Sequence, residues 1–265
     1  MDVLAALRLQ YEWGADEALL DAPQDRRGAT PAIPPATLSP ATPPARPSPR
    51  PAALPGGPAE AARAAAACHS LDELKAALDG FTGCALRDTA TQLVFAEGPE
   101  DARLVIIGEA PGAEEDRAGR PFIGAAGQLL DRMLGSIGLD RRRVRIINTV
   151  PWRPPGNRAP SESEIALCLP FLHRHIALIR PQRLVTLGAI ATRALLPEAG
   201  NQGIRRLRGA WRPATIQDLD SPLFCLPSYH PAYLLRTPTA KPESWQDLLL
   251  LREWLESGDY HENVI

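Results

Sequence analysis

The sequence predicts an α/β domain of three layers, α/β/α, around a mainly parallel central sheet of four strands. Three observations lead there. Short apolar runs alternate with amphipathic helical patterns from residue 67 onward. Within the runs consecutive positions are apolar, as in strands buried on both faces. The segments directly behind the runs are rich in Gly, Pro and polar residues, and parallel sheets gather reactive groups just beyond the carboxyl ends of their strands.

The elements follow in chain order. Residues 1–21 hold a helical pattern, 2–20, that brings Leu4, Leu7, Tyr11 and Leu19 near one face. Such a helix could dock on the body or on a protein partner, and the sequence leaves both open. Twelve of the 28 prolines fall between Ala22 and Pro58. That composition buries too little apolar surface to offset its ordering entropy, so 22–66 is read as a disordered linker. The folded domain is placed at 67–265. Ser70 and Glu73 make a capping box ahead of Leu71, Leu74 and Leu78. RLVIIG (103–108) is the first strand. A helix over 125–138 turns Leu129, Leu130, Met133, Leu134 and Ile137 inward. VRIINTV (144–150) is the second strand. Ser161 and Glu164 cap a helix carrying Ile165, Leu169, Leu172 and Ile176, with Pro170 expected to kink it. RLVTLG (183–188), a short helix over 189–196, LFCLPS (223–228) and a helix over 242–257 complete the order.

Composition narrows the function. The 265 residues suffice for one catalytic domain, and 45% apolar with 23% charged is ordinary for a globular protein. No apolar run approaches the ~18 residues of a membrane helix. MDVLAALRLQYEWGADE lacks a basic region and a long apolar stretch, which argues against a secretory signal. Four cysteines make no disulfide framework, so a reducing, cytoplasmic setting is expected. The net charge of −2 hides an asymmetry: residues 141–212 hold fourteen Arg against three acidic residues, while both flanks are acidic. A basic stretch of this kind is the footprint of a nucleic-acid face, or else a set of solvated helix surfaces.

Three segments carry the chemistry: GEAPGAEEDRAGRPFIGAAGQLL (108–130), INTVPWRPPGNRAP (147–160) and PSYHPAYLLR (227–236). Together, and in this order, they resemble the family 4 enzymes of the uracil-DNA glycosylase superfamily, over roughly Ser70 to Leu255. The resemblance implies excision of uracil from single- or double-stranded DNA by hydrolysis of the N-glycosidic bond, in base excision repair. A monomer acting at the nucleoid of a bacterium is expected. The uracil leaves as an anion, so the enzyme needs a pocket for the extruded base, donors aimed at its oxygens and a placed water. The resemblance sets His230 against uracil O2, where charge builds. The Asn148 carboxamide can accept from N3–H and donate to O4, a pattern that cytosine inverts. Phe122 would stack on the base. Gly108 and Gly112 allow close backbone approach, so that the amides around Glu109 and Ala110 could face O2 and the water. Family 1 enzymes have an Asp where Ala110 stands, so general-base help would be weak or come from elsewhere. Glu115 matches a family Glu at the uracil C5 edge, and Asp116 is a further candidate. The segment Pro231, Ala232, Tyr233, Leu234, Leu235 and Arg236 suits a wedge, with an apolar side chain filling the gap in the base stack and Arg236 holding a phosphate. Arg153, Arg158 and Arg208 are further phosphate contacts, as are Arg205, Arg206 and Arg212.

The chain departs from the family at the iron–sulfur ligands. Family 4 enzymes hold a four-iron four-sulfur cluster by four cysteines. Here only Cys84 and Cys168 stand at those positions, and Phe81 and Trp152 replace the other two. Neither aromatic can ligate iron, so the expectation is no cluster and no other cofactor, with the aromatics filling its volume. Two rival readings stay open: a member that binds damaged or single-stranded DNA without turnover, and a nucleotide-binding domain using GEAPG as a phosphate loop. The second lacks the Lys of a phosphate-binding loop. The chain's only lysines are Lys75 and Lys241, which leaves a Schiff-base lyase step without a nucleophile.

Overall fold

The computed structural model describes residues 57–200 and 202–257. The helix expected at 2–20 and most of the expected linker lie outside them. Strands β1 (Leu104–Gly108), β2 (Arg145–Asn148), β3 (Arg183–Leu187), β4 (Arg212–Ala214) and β5 (Leu223–Ser228) form one sheet in the order β2-β1-β3-β5-β4. All pairings are parallel except β4 with β5. The sheet therefore has five strands rather than four. The missed strand is only Arg212-Pro213-Ala214, too short to show a period. It lies at the sheet edge, where the absent N–H of a proline is tolerated.

The apolar runs bury both faces because successive side chains point to opposite sides. Val105, Ile107, Ile147 and Leu184 face one core, with Leu74, Leu78, Phe171 and Ile176. Leu104, Ile106, Ile146 and Val185 face the other, with Leu130, Leu134, Leu251 and Trp254. The first layer comprises α1 (Pro58–Ala66), α2 (Leu71–Gly80) and α6 (Glu162–Ile179). The second comprises α5 (Ala125–Gly135) and α10 (Lys241–Glu256). Between them in sequence lie the short helices α3 (Leu86–Thr89), α4 (Ala113–Ala118), α7 (Ala189–Leu195), α8 (Ile204–Leu207) and α9 (Pro231–Arg236).

Helix α1 corrects the expected linker boundary. Pro58 sits at its first position, where a proline's missing N–H costs nothing, and the Ala-rich stretch behind it has high helix propensity. Ala61 and Ala65, one turn apart, are buried, and α1 packs on α6. Helix α6 opens on the expected capping box, with Ser161 Oγ accepting from Glu164 N–H, and runs on past Pro170.

Candidate active site

The carboxyl ends of β1 and β2 lie side by side, with Gly108 paired to Asn148. Beyond them opens a cleft of about 420 Å³. Asn148, Phe122 and His230, drawn from three separate segments, all line it. Glu109, Ala110, Gly112 and Glu115 line it as well, as do Arg158 and Arg236. Gly108 lies close behind: a methyl group there would stand 2.5 Å from both Asn148 Oδ1 and Phe122 Cζ. Only the missing side chain lets those two groups close over the strand end.

Asn148 is buried, and its Oδ1 has no hydrogen-bond partner. An unsatisfied buried acceptor costs roughly 1–3 kcal/mol, so the atom is prepared for a donor brought by a ligand. His230 caps the N-terminus of α9, its Nδ1 accepting from Ala232 N–H at 3.2 Å. In the neutral ring that leaves the proton on Nε2, free to be donated. Burial lowers its pKa to about 4, helped by the charge of Arg236 and opposed by that of Glu115. The imidazole is therefore neutral at physiological pH. Its ring lies 5.4 Å from that of Phe122, with 30° between the planes.

Phe122 adopts φ 53, a left-handed backbone that costs a non-glycine residue on the order of 1–2 kcal/mol. Glu115 helps to hold this loop. Its carboxylate accepts from the amides of Gly112, Ile123 and Gly124, each at 3.0 Å, tying the start of α4 to the residues behind Phe122. Burial raises the pKa of Glu109, against the charges of Arg193 and Arg236. Asp116 is not on the cleft: it accepts from Thr91 N–H and Oγ1–H, each at 2.8 Å, and pins that loop.

The expected DNA contacts divide. Arg236 is exposed at the cleft. Arg158 also lines it, paired to Glu164 at 2.6 and 2.8 Å. Arg153 donates to Asn157 Oδ1, and Tyr233 packs its ring on Tyr229. Arg205 stays exposed, and Arg212 donates to the carbonyls of Leu207 and Arg206. Two expectations are corrected. Leu234 is buried, 1% exposed, because the helical turn of α9 directs positions 231 and 234 inward; Leu235, 41% exposed, is the apolar side chain offered to solvent. Arg208 is turned inward and cannot reach a phosphate. Its guanidinium grips both oxygens of buried Asp247, at 2.7 and 3.0 Å, and the Glu243 carbonyl. Sequence reasoning also missed Arg193, whose charge acts on Glu109 from a short helix with no motif to mark it.

The positions of the family's cluster ligands lie together in one core. Phe81, Cys84, Trp152 and Cys168 are all buried there, Phe81 edge-on to Phe171 at 5.2 Å. A hydrogen bond with Cys168 lowers the pKa of Cys84 to about 7, and the same bond with burial raises that of Cys168. Two thiols beside two aromatic rings are half a donor set, and among the described residues no group of three or more His, Cys, Asp or Glu could hold a metal ion. The residues present do not fit a four-iron four-sulfur cluster.

Fold and cleft together define a parallel α/β domain with a cleft of polar and aromatic side chains at the carboxyl edge of its sheet. Residues 95–249 match the model of the uracil DNA glycosylase superfamily, and the chain belongs to that superfamily. It is 38% identical over 182 residues to a type-4 uracil-DNA glycosylase of Pyrobaculum aerophilum, covering 68% of this chain and 92% of the relative. It is 41% identical over 155 residues to the type-4 enzyme of Thermotoga maritima, covering 58% and 78%. With that of Archaeoglobus fulgidus it shares 37% over 187 residues, covering 70% and 93%.

Proposed function

We propose that the chain is a monofunctional uracil-DNA glycosylase, hydrolysing the bond between uracil and deoxyribose in DNA to leave free uracil and an abasic site. It acts in base excision repair. The observation that carries this reading is the unpaired Asn148 Oδ1, buried on the same cleft as Phe122 and a neutral His230. With the base turned out of the stack, Asn148 Oδ1 accepts from N3–H and Nδ2 donates to O4. Cytosine has no N3–H to give, which leaves that oxygen orphaned. Phe122 stacks on the ring. His230 Nε2–H donates to O2 and steadies the charge that collects as the glycosidic bond lengthens, worth on the order of 10²–10³ in rate. Among the described residues that line the cleft, Glu109 is the carboxylate not tied up by backbone amides, and it orients the water that then adds to the sugar carbon. Ala110 leaves space where family 1 enzymes carry an Asp. Glu115 acts chiefly by fixing the loop of Phe122.

Leu235 fills the space that the base vacates, and Arg236 and Arg158 meet the backbone phosphates. Neither lysine lines the cleft, which supports release without a lyase step. The substrate is uracil-containing DNA, single- or double-stranded, met by a monomer in the cytoplasm at the nucleoid. Among the described residues no helix is long and apolar enough to cross a membrane. The chain carries no iron–sulfur cluster, and Phe81 and Trp152 fill that volume. Iron and sulfide assays on anaerobically purified protein are expected to find neither in stoichiometric amount; a full complement of iron overturns the point.

A uracil-containing oligonucleotide tests the main reading. Wild-type protein is expected to leave alkali-labile sites, and His230→Ala and Asn148→Ala to leave about 10²-fold fewer per unit time. Tight binding without any abasic product would instead indicate a recognition protein.

A further inference from the structure

Phe122 stands in an unfavourable left-handed backbone, at φ 53, and one side chain outside the cleft is built around it. Arg141, in the loop before β2, donates through Nη1 to the Pro121 carbonyl at 3.1 Å and through Nη2 to the Phe122 carbonyl. The rest of the guanidinium is fixed from two directions. Nε donates to Asp131 of α5 at 2.7 Å. Nη1 also pairs with Glu97, whose backbone bridges Ile146 of β2. From another side the backbone of Gly127 presses on the same Phe122 carbonyl, where an added methyl group would come within 1.6 Å. The carbonyl of the stacking residue is thus held between a helix with no side chain at that point and an anchored planar fork. We propose that Arg141 is a positioning residue for Phe122: it holds the peptide behind the phenyl ring so that the ring keeps its stacked place beside His230 and stays ready for the base. Lys could not replace it, because one ammonium cannot serve two adjacent carbonyls and two carboxylates in a plane. The inference rests on the reading of Phe122 as the stacking residue.

The test is a double-mutant cycle on uracil release. Arg141→Lys is expected to lower kcat/KM about tenfold, and to cost less than about twofold when Phe122 is already Ala. Affinity for abasic DNA is expected to hold. An equal loss in both backgrounds would mean that Arg141 only supports the fold, and would overturn the proposal. Should Arg141→Lys fail to fold, Asp131→Ala loosens the same fork from a half-exposed partner. Its smaller loss must likewise vanish in the Phe122→Ala background; a loss that persists there overturns the proposal. A crystal structure of the surviving variant reads the clamp without any assay. Phe122 is expected to leave positive φ, and an unmoved ring overturns the clamp even if the wild type were inactive on uracil. Wild-type inactivity by itself would count against the glycosylase reading alone.

Discussion

His230 and Asn148 are each defined by what they lack. The imidazole has one nitrogen engaged by a backbone amide and the other free, and burial keeps it uncharged above about pH 4. The carboxamide has an acceptor without a donor. His175 is a second histidine buried without charge, its pKa lowered to about 3 by burial and by the adjacent Arg145. This has a consequence for stability. In the unfolded chain a histidine takes up a proton near pH 6.5, whereas in the folded protein His175 and His230 do so only near 3 and 4. Acid therefore favours unfolding. Stability is expected to be full above about pH 6.5 and to fall toward pH 4, each such histidine contributing up to about 1.4 kcal/mol per pH unit. Thermal unfolding across that range should show a shallower decline in His175→Phe than in wild type; identical slopes would contradict the assignment. The shared cleft of Asn148, Phe122 and His230 was legible at this scale because they lie in motifs whose chemistry can be argued from residue type. Arg208 was misread because its charge promised a phosphate, while its partner Asp247 lies far off in sequence and inside a helix.

Helices α9 and α10 decide what surrounds His230. The turn of α9 buries Leu234 and exposes Leu235. Leu235→Ala is expected to weaken excision from double-stranded DNA more than from single strands, since only a duplex leaves a gap in its stack to be filled. Equal effects on both would remove Leu235 from that role. Helix α10 braces the strand before His230. Asp247 accepts from Ser228 Oγ at 2.7 Å while pairing with Arg208, and Glu243 accepts from Tyr229 Oη at 2.5 Å. Removing one member of a buried ion pair strands the other, so Asp247→Ala should cost about 3–5 kcal/mol, read as a lowered denaturant midpoint. The long elements were readable from periodicity and capping boxes. The six residues of α9 and the three of β4 were not, because neither spans enough turns or alternations to produce a period.

On the scale of the molecule, the two cores on either side of the sheet are built by strands with consecutive apolar positions, Leu104–Ile107, Ile146–Ile147 and Leu184–Val185, and this is why the α/β class could be read directly. The domain start could not. Composition made Pro58–Ala66 look like more linker, yet α1 contributes two buried alanines to the face of α6. A chain beginning at Gly57 is expected to fold and excise uracil. One beginning at Ala67 should lose on the order of 5 °C in Tm, because an apolar patch of α6 is uncovered. Equal melting of the two would make α1 dispensable.

The central claim is that the cleft recognises uracil through Asn148 and expels it through His230. Its most direct test is single-turnover release of free base from two oligonucleotides that differ only in carrying uracil or cytosine at one position. Wild-type protein should release uracil at least about 10²-fold faster than cytosine, and Asn148→Ala should lose most of both the rate and the preference. Uracil release that continues undiminished in Asn148→Ala, or that is matched by cytosine in the wild type, would contradict the account.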